Sequence, residues 1–258
     1  MWRIRLDTSA FNLALEIRDA DLLLAYYFTL SASDFTIRQL PVPSAQAWWK
    51  GLEDTQEGVV YLHGYGDRKV GQHKGIIAMA AATGERIWEQ PELAFYGVVA
   101  DGVLAYPATA PEISFQLLHP RTGQPLKTGL RQQDAAEQAE AFSVRRYKNC
   151  TYPALYKEGE AYFEQVRDFL EAQLGIVPVK AVEYAETDAA LVVSFYEDKG
   201  EAGLTNFVAV FNLEGDLQLK EKLGSGLSGI GSDTFFIFNL NLYFLQDKQI
   251  LKVYRLLA

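Results

Sequence analysis

A strand–turn–strand pattern that returns five times limits the folds open to this chain. WRIRLDTSAFNLALEIR from residue 2, WWKGLEDTQEGVVYLHGY from 48 and AFYGVVADGVLAYPAT from 94 share it. So do KAVEYAETDAALVVSFYE from 180 and LSGIGSDTFFIFNLNLYF from 227. In each, a first strand meets a turn of acidic or small residues and returns as a more apolar strand. A strand packed on both faces is apolar along its length. Leu191-Val192-Val193 and Phe235-Phe236-Ile237-Phe238 fit that rule.

A second hairpin recurs behind the first. Residues 76–88 turn at Thr83-Gly84, 116–127 at Thr122-Gly123 and 207–220 at Glu214-Gly215. Glycine supplies the positive φ that such tight turns need. Gly84 and Gly123 lie about forty residues apart, the length of one propeller blade. Gly123 and Gly215 are more than twice as far apart, which marks an insertion. The expected fold is therefore all-β, a single-domain β-propeller of about five four-stranded blades. The blades fall at about 1–44, 45–92, 93–131, 176–224 and 225–258, with the insertion at 132–175.

Within the insertion, Phe163, Val166, Phe169, Leu170 and Leu174 follow helical spacing, and Gly175 and Pro178 stop the run. This predicts a helix over about 157–175, packed as a strut against the propeller's side. Residues 131–140 read as a loop or short exposed helix, and 141–156 as a hairpin around Lys148-Asn149.

The stretch from Ala78 to Trp88, with Ala81-Ala82-Thr83-Gly84-Glu85-Arg86-Ile87-Trp88, resembles the repeat of quinoprotein-type propellers, the pyrroloquinoline quinone repeat. Met79-Ala80 stands where Leu-Asp is usual, and 117–127 and 207–219 match more weakly. Trp48-Trp49, His63-Gly64-Tyr65 and Lys74-Gly75-Ile76 together resemble an uncharacterised bacterial family of this size, a domain of unknown function. The resemblance implies the fold and not the cofactor chemistry. Quinone dehydrogenases need a larger propeller, a calcium-type site and commonly adjacent cysteines, so no cofactor is expected here.

Composition narrows the partners. The net charge of −9, without a Lys/Arg cluster, repels phosphate backbones and anionic lipid, so neither nucleic acid nor membrane is expected. One cysteine, Cys150, excludes an internal disulfide framework and a four-cysteine zinc site. The first residues carry charges every few positions and lack an apolar signal region, which predicts a cytoplasmic protein. A monomer is expected.

The stretch 59–74 holds two of the three histidines and several glycines between two strands. A long polar connection among short ones is where a scaffold presents a site. His63, Tyr65, Asp67 and His73 can grip a polar ligand there, with Trp49 near the central opening. Side chains alternate along a strand, so Trp48 and Trp49 cannot share a face. The spacing of His63 and His73 fits no standard metal pattern and no acidic cluster completes it, so no metal is expected. The plainer alternative makes His63 the end of a buried strand, bonded to a backbone carbonyl.

Gly224-x-Gly226-x-x-Gly229 copies the dinucleotide fingerprint, but a strand-like run follows where a helix is required. No nucleophile elbow or P-loop is present, and no catalytic residue is assigned. The expected function is a non-enzymatic binding or scaffold module contacting a protein or small ligand through its loops and central opening. The rival is a glycan-acting hydrolase or lyase with its site at the central channel.

Overall fold

The computed structural model describes residues 1–66, 69, 71–109 and 114–256. The chain is mostly β, in five antiparallel sheets, and divides into two compact units, Met1–Asn149 and Cys150–Ala258.

The first unit holds three sheets in chain order. Strands β1 (Arg3–Asp7), β2 (Asn12–Asp19), β3 (Leu24–Ser31) and β4 (Ile37–Gln39) make the first. A four-residue helix, α1 (Ser44–Ala47), leads to β5 (Lys50–Gln56), β6 (Val59–Tyr65), β7 (His73–Ala80) and β8 (Arg86–Gln90). The third sheet contains β9 (Leu93–Val99), β10 (Gly102–Pro107), β11 (Phe115–Leu118) and β12 (Pro125–Leu130), and helix α2 (Gln132–Arg146) follows. Each of these three sheets is a meander, and the expected turns at Gly84, Gly123 and Gly215 have positive φ.

The middle sheet is packed on both faces, which is why β6 is apolar through VVYL. Val59 and Tyr61 enter a core with Leu93, Val103 and Ala105 of the third sheet. Val60 and Leu62 point the other way, into a core with Tyr27 and Leu40. Each such side chain contributes about 1.5–3 kcal/mol when fully buried. The first strands of the three sheets neighbour one another, β1 beside β5 and β5 beside β9.

Helix α2 corrects the sequence reading. It runs through residues 141–146, where a hairpin was expected. Ala135, Ala139, Phe142 and Arg146 form a stripe at helical spacing, and Ala135, Phe142 and Arg146 are buried. Ala135 packs with Val99, Leu104 and Phe115 of the third sheet.

The second unit holds two sheets. It begins with β13 (Cys150–Thr151) and β14 (Ala154–Lys157), followed by α3 (Ala161–Leu174), close to the expected helix. Strands β15 (Val179–Glu186), β16 (Leu191–Asp198), β17 (Leu204–Phe211) and β18 (Leu217–Leu227) then form a sheet that β14 extends to five strands. Strands β19 (Phe235–Phe238), β20 (Asn241–Gln246) and β21 (Ile250–Arg255) form the last, and β13 supplies its fourth strand. The insertion therefore donates strands to both sheets. Helix α3 covers one face of the five-stranded sheet, burying Phe163 and Leu170 against Val182, Val193 and Phe211. Gly224 and Gly226 lie inside β18, and β19 is the next element, so the glycine run has no helix to serve.

Candidate functional site

Two irregularities in the middle sheet build the site. In the β5–β6 pairing, Leu52 faces Leu62 and Asp54 faces Tyr61, so Glu53 is an extra residue. In the β6–β7 pairing, His63 faces Ile76 and Gly64 faces Lys74, so Gly75 is extra, at φ 86°. A β-bulge re-aims side chains, and the second one matters most. In an unbroken register Tyr65 would face Lys74, and His73 would fall on the opposite side of the sheet. With Gly75 looped out, His73 pairs with Tyr65 and joins the side that carries His63.

The result is a group of three ionisable side chains. Glu53 Oε1 lies 2.8 Å from His73 Nδ1 and 2.8 Å from His63 Nδ1. The imidazoles stack, with centroids 3.5 Å apart and planes inclined by 13°. Tyr65 stands edge-on to both rings, and Trp49 stands edge-on to Tyr65 at 6.5 Å. His63 is 2% exposed and His73 is 39% exposed, so the group runs from the core to solvent.

The bonding within the group is uneven. His73 Nδ1 and Glu53 Oε1 make a well-aligned hydrogen bond. The same oxygen is near His63 Nδ1 but off the line of its N–H, and neither ring nitrogen of His63 has an aligned hydrogen-bond partner among the described residues. The bland expectation, a carbonyl partner for His63, is therefore not what the structure contains. Burial pushes Glu53 up, but the two imidazoles at 2.8 Å, His63 and the hydrogen-bonded His73, outweigh it and hold the carboxyl below its ordinary value. Burial, His63 and Arg3 together push His73 down against the pull of Glu53.

The frame around the group is fixed by neighbouring strands. Arg3 donates to the Leu52 carbonyl, and Arg5 Nε donates to the Glu53 carbonyl at 2.8 Å. The buried Glu16 accepts from the Leu52 N–H at 2.9 Å. Gly51 lies opposite His63, and a Cβ there would stand 2.3 Å from His63 Cε1. Glycine at 51 is thus what lets the ring lie over β5. Asp54, next to Glu53, is committed elsewhere. It holds the buried Arg146 by paired bonds of 2.9 and 3.0 Å, and Arg146 also donates to the carbonyls of Leu6 and Thr55.

Of the expected site residues, the structure brings together His63, Tyr65, His73 and Trp49, while Asp67 lies outside the described residues. Trp48 and Trp49 occupy a turn after α1 instead of a strand. Trp48 packs beside the core of Tyr27 and Leu40, and Trp49 is 37% exposed. No acidic cluster was expected beside the histidine pair, but one carboxylate, Glu53, joins it from the adjacent strand. The Glu57-Gly58 turn alone would set Glu53 opposite Leu62, on the side away from His63, so it is the bulge in β5 that brings the carboxylate to the histidine pair.

The second unit contains a different polar group. The carboxylate of Glu183 is 1% exposed and accepts from the N–H groups of Asp233 and Thr234 and from the Thr234 hydroxyl. Thr234 also bonds Ser194, which bonds Asn206 at 3.0 Å. Burial pushes the Glu183 carboxyl up, against the hydrogen bonds from Thr234 and Asp233.

Residues 6–88 match the model of a family described as a domain of unknown function (DUF4905). No curated protein matches the chain. Among solved structures, it is similar to a chain from a structural study of two prolyl endopeptidases, at 10% identity and a TM-score of 0.31. That alignment covers 97% of this chain and 41% of the other, so the chain spans about two fifths of that protein's length. It is also similar to an oligogalacturonate lyase in complex with manganese, at 11% identity and a TM-score of 0.29, over 97% of this chain and 75% of that one. Among the described residues, no helix is long and apolar enough to cross a membrane.

Proposed function

We propose that the chain is a β-propeller whose five sheets are blades, and that it acts as a binding module for a small polar ligand. The observation that carries this reading is the run of side chains from Glu53 through His73 and Tyr65 to Trp49, at the solvent end of a polar group rooted in the core. Aromatic edges and a carboxylate–imidazole pair are what a pocket uses to orient a polar molecule. The net charge of −9 turns the choice of partner away from nucleic acid and anionic lipid.

A glycan-acting hydrolase or lyase is the weaker reading. Glycoside hydrolysis commonly needs two carboxylates facing across the scissile bond. Here Glu53 stands with two imidazoles, and its neighbour Asp54 is held by Arg146.

The test is a thermal-shift panel of neutral sugars, sugar acids, amino acids and small carboxylates on the purified chain. A true ligand at a hundredfold excess over its Kd should stabilise by about 2.7 kcal/mol. Trp49→Ala and Tyr65→Phe should weaken the response. A ligand whose effect is the same in both variants and in the wild type would sink the assignment of this face.

A further inference from the structure

We infer that Glu53, His63 and His73 form a site for one divalent transition-metal ion of the zinc class. This rests on the same face being a ligand site, and it names what organises that site.

Two imidazoles and one carboxylate, their ligand atoms all within 4.8 Å of one another, are a donor set suited to zinc and its neighbours in the first transition row. Three protein donors leave a coordination position for a bound molecule. The exposed side of His73, with Tyr65 and Trp49 beyond it, is where that position opens.

The decisive observation is His63. A buried imidazole normally has at least one ring nitrogen in a good hydrogen bond. Both nitrogens of His63 are buried without an aligned partner, while a carboxylate oxygen sits 2.8 Å from Nδ1. If Glu53 served only as a hydrogen-bonded bridge, both rings would be aligned with it, and only His73 is.

Binding requires a small rearrangement. Donor atoms on a tetrahedral ion with bonds of roughly 2.0–2.1 Å are about 3.3 Å apart. The 2.8 Å separations must therefore widen, and the stacked rings must turn so that both lone pairs meet the ion. His73, the more exposed of the two, is the ring that makes that turn, exchanging its bond to Glu53 for the ion, whereas His63 is fixed over Gly51.

The experiment uses the full chain without an affinity tag, stripped with a chelator, and Zn2+ alone as the probe. Calorimetry should give one ion per chain, and Co2+ in its place should develop the visible absorption of a low-symmetry site. His73→Ala should lose about tenfold or more in affinity. His119→Ala, which removes the remaining histidine, should bind as the wild type does. Glu53→Gln, which keeps the side-chain volume, carries the test if His73→Ala does not fold. No Zn2+ bound by the wild type, or equal affinity in wild type, His73→Ala and Glu53→Gln, overturns the inference. Small molecules that stabilise the stripped protein while Zn2+ does not bind would remove the metal and leave the binding module. Zn2+ bound with every small molecule silent would do the reverse.

Discussion

Each unit of the molecule sets a glutamate among polar partners, half-buried Glu53 in the first and buried Glu183 in the second, and the two differ in how completely those partners are used. In the second unit, Glu183 accepts from three donors, and Ser194 and Asn206 continue the chain of bonds. In the first, Glu53 has one aligned partner in His73, a second imidazole at bonding distance but off-line, and a path to solvent. A fully satisfied buried network fixes a fold, since every group in it would be costly to leave unpaired. An incompletely satisfied one at a surface keeps bonding capacity for something else. The same residue type is thus a fastener in one unit and a candidate ligand in the other.

Breaking the fastener should give the largest effect. Glu183→Ala leaves the N–H groups of Asp233 and Thr234 without their acceptor. The expected loss is about 3 kcal/mol or more, read from urea unfolding. A variant as stable as the wild type would erase the contrast between the units.

Gly51→Ala should come next, at about 1–3 kcal/mol, because the new methyl would stand 2.3 Å from one atom of the His63 ring and 2.6 Å from another. The same change should dislodge His63 from the group. A neutral Gly51→Ala would mean that the ring has room to move, and that the arrangement over β5 is looser than it looks.

The smallest effect is a pH dependence from Glu183. Burial holds its folded value above the ordinary carboxylate value of 4.5, so the fold favours the protonated form. Its contribution is complete below the ordinary value and is lost as pH rises through the raised one. Unfolding curves from pH 4 to 7 should show this loss in the wild type and lack it in Glu183→Gln. The opposite slope would mean that the three donors outweigh desolvation.

Much of the fold was legible because it depends on local pattern. Alternating and continuous apolar runs with Gly turns marked the sheets at 3–39, 50–90 and 93–130 and the helix at 161–174. What escaped depends on partners distant in sequence. The stripe on α2 is built from alanines, one phenylalanine and an arginine, so its apolar signal is faint, and only Asp54 shows why Arg146 is buried. The two-residue β13 is too short to carry a pattern of its own. At the site, His63, Tyr65 and His73 were visible as a polar cluster, whereas the role of Glu53 needed the bulge that makes it an extra residue in β5. The side taken by His73 needed the bulge at Gly75, and a single glycine in a strand announces such a bulge without giving its outcome.

The late pairing of β13 has a consequence for synthesis. Thr151 pairs with Ile237, 86 residues further on (237 − 151). At the usual rate of chain growth, β13 waits on the order of ten seconds for its partner to be made. Closing that loop costs about 4 kcal/mol in chain entropy, against a small cost for the adjoining hairpin of β19 and β20. The last sheet is therefore finished from its C-terminal hairpin inward. Until β13 arrives, the edge of β19 is a row of unpaired backbone groups beside Phe236 and Phe238, open to any other extended chain.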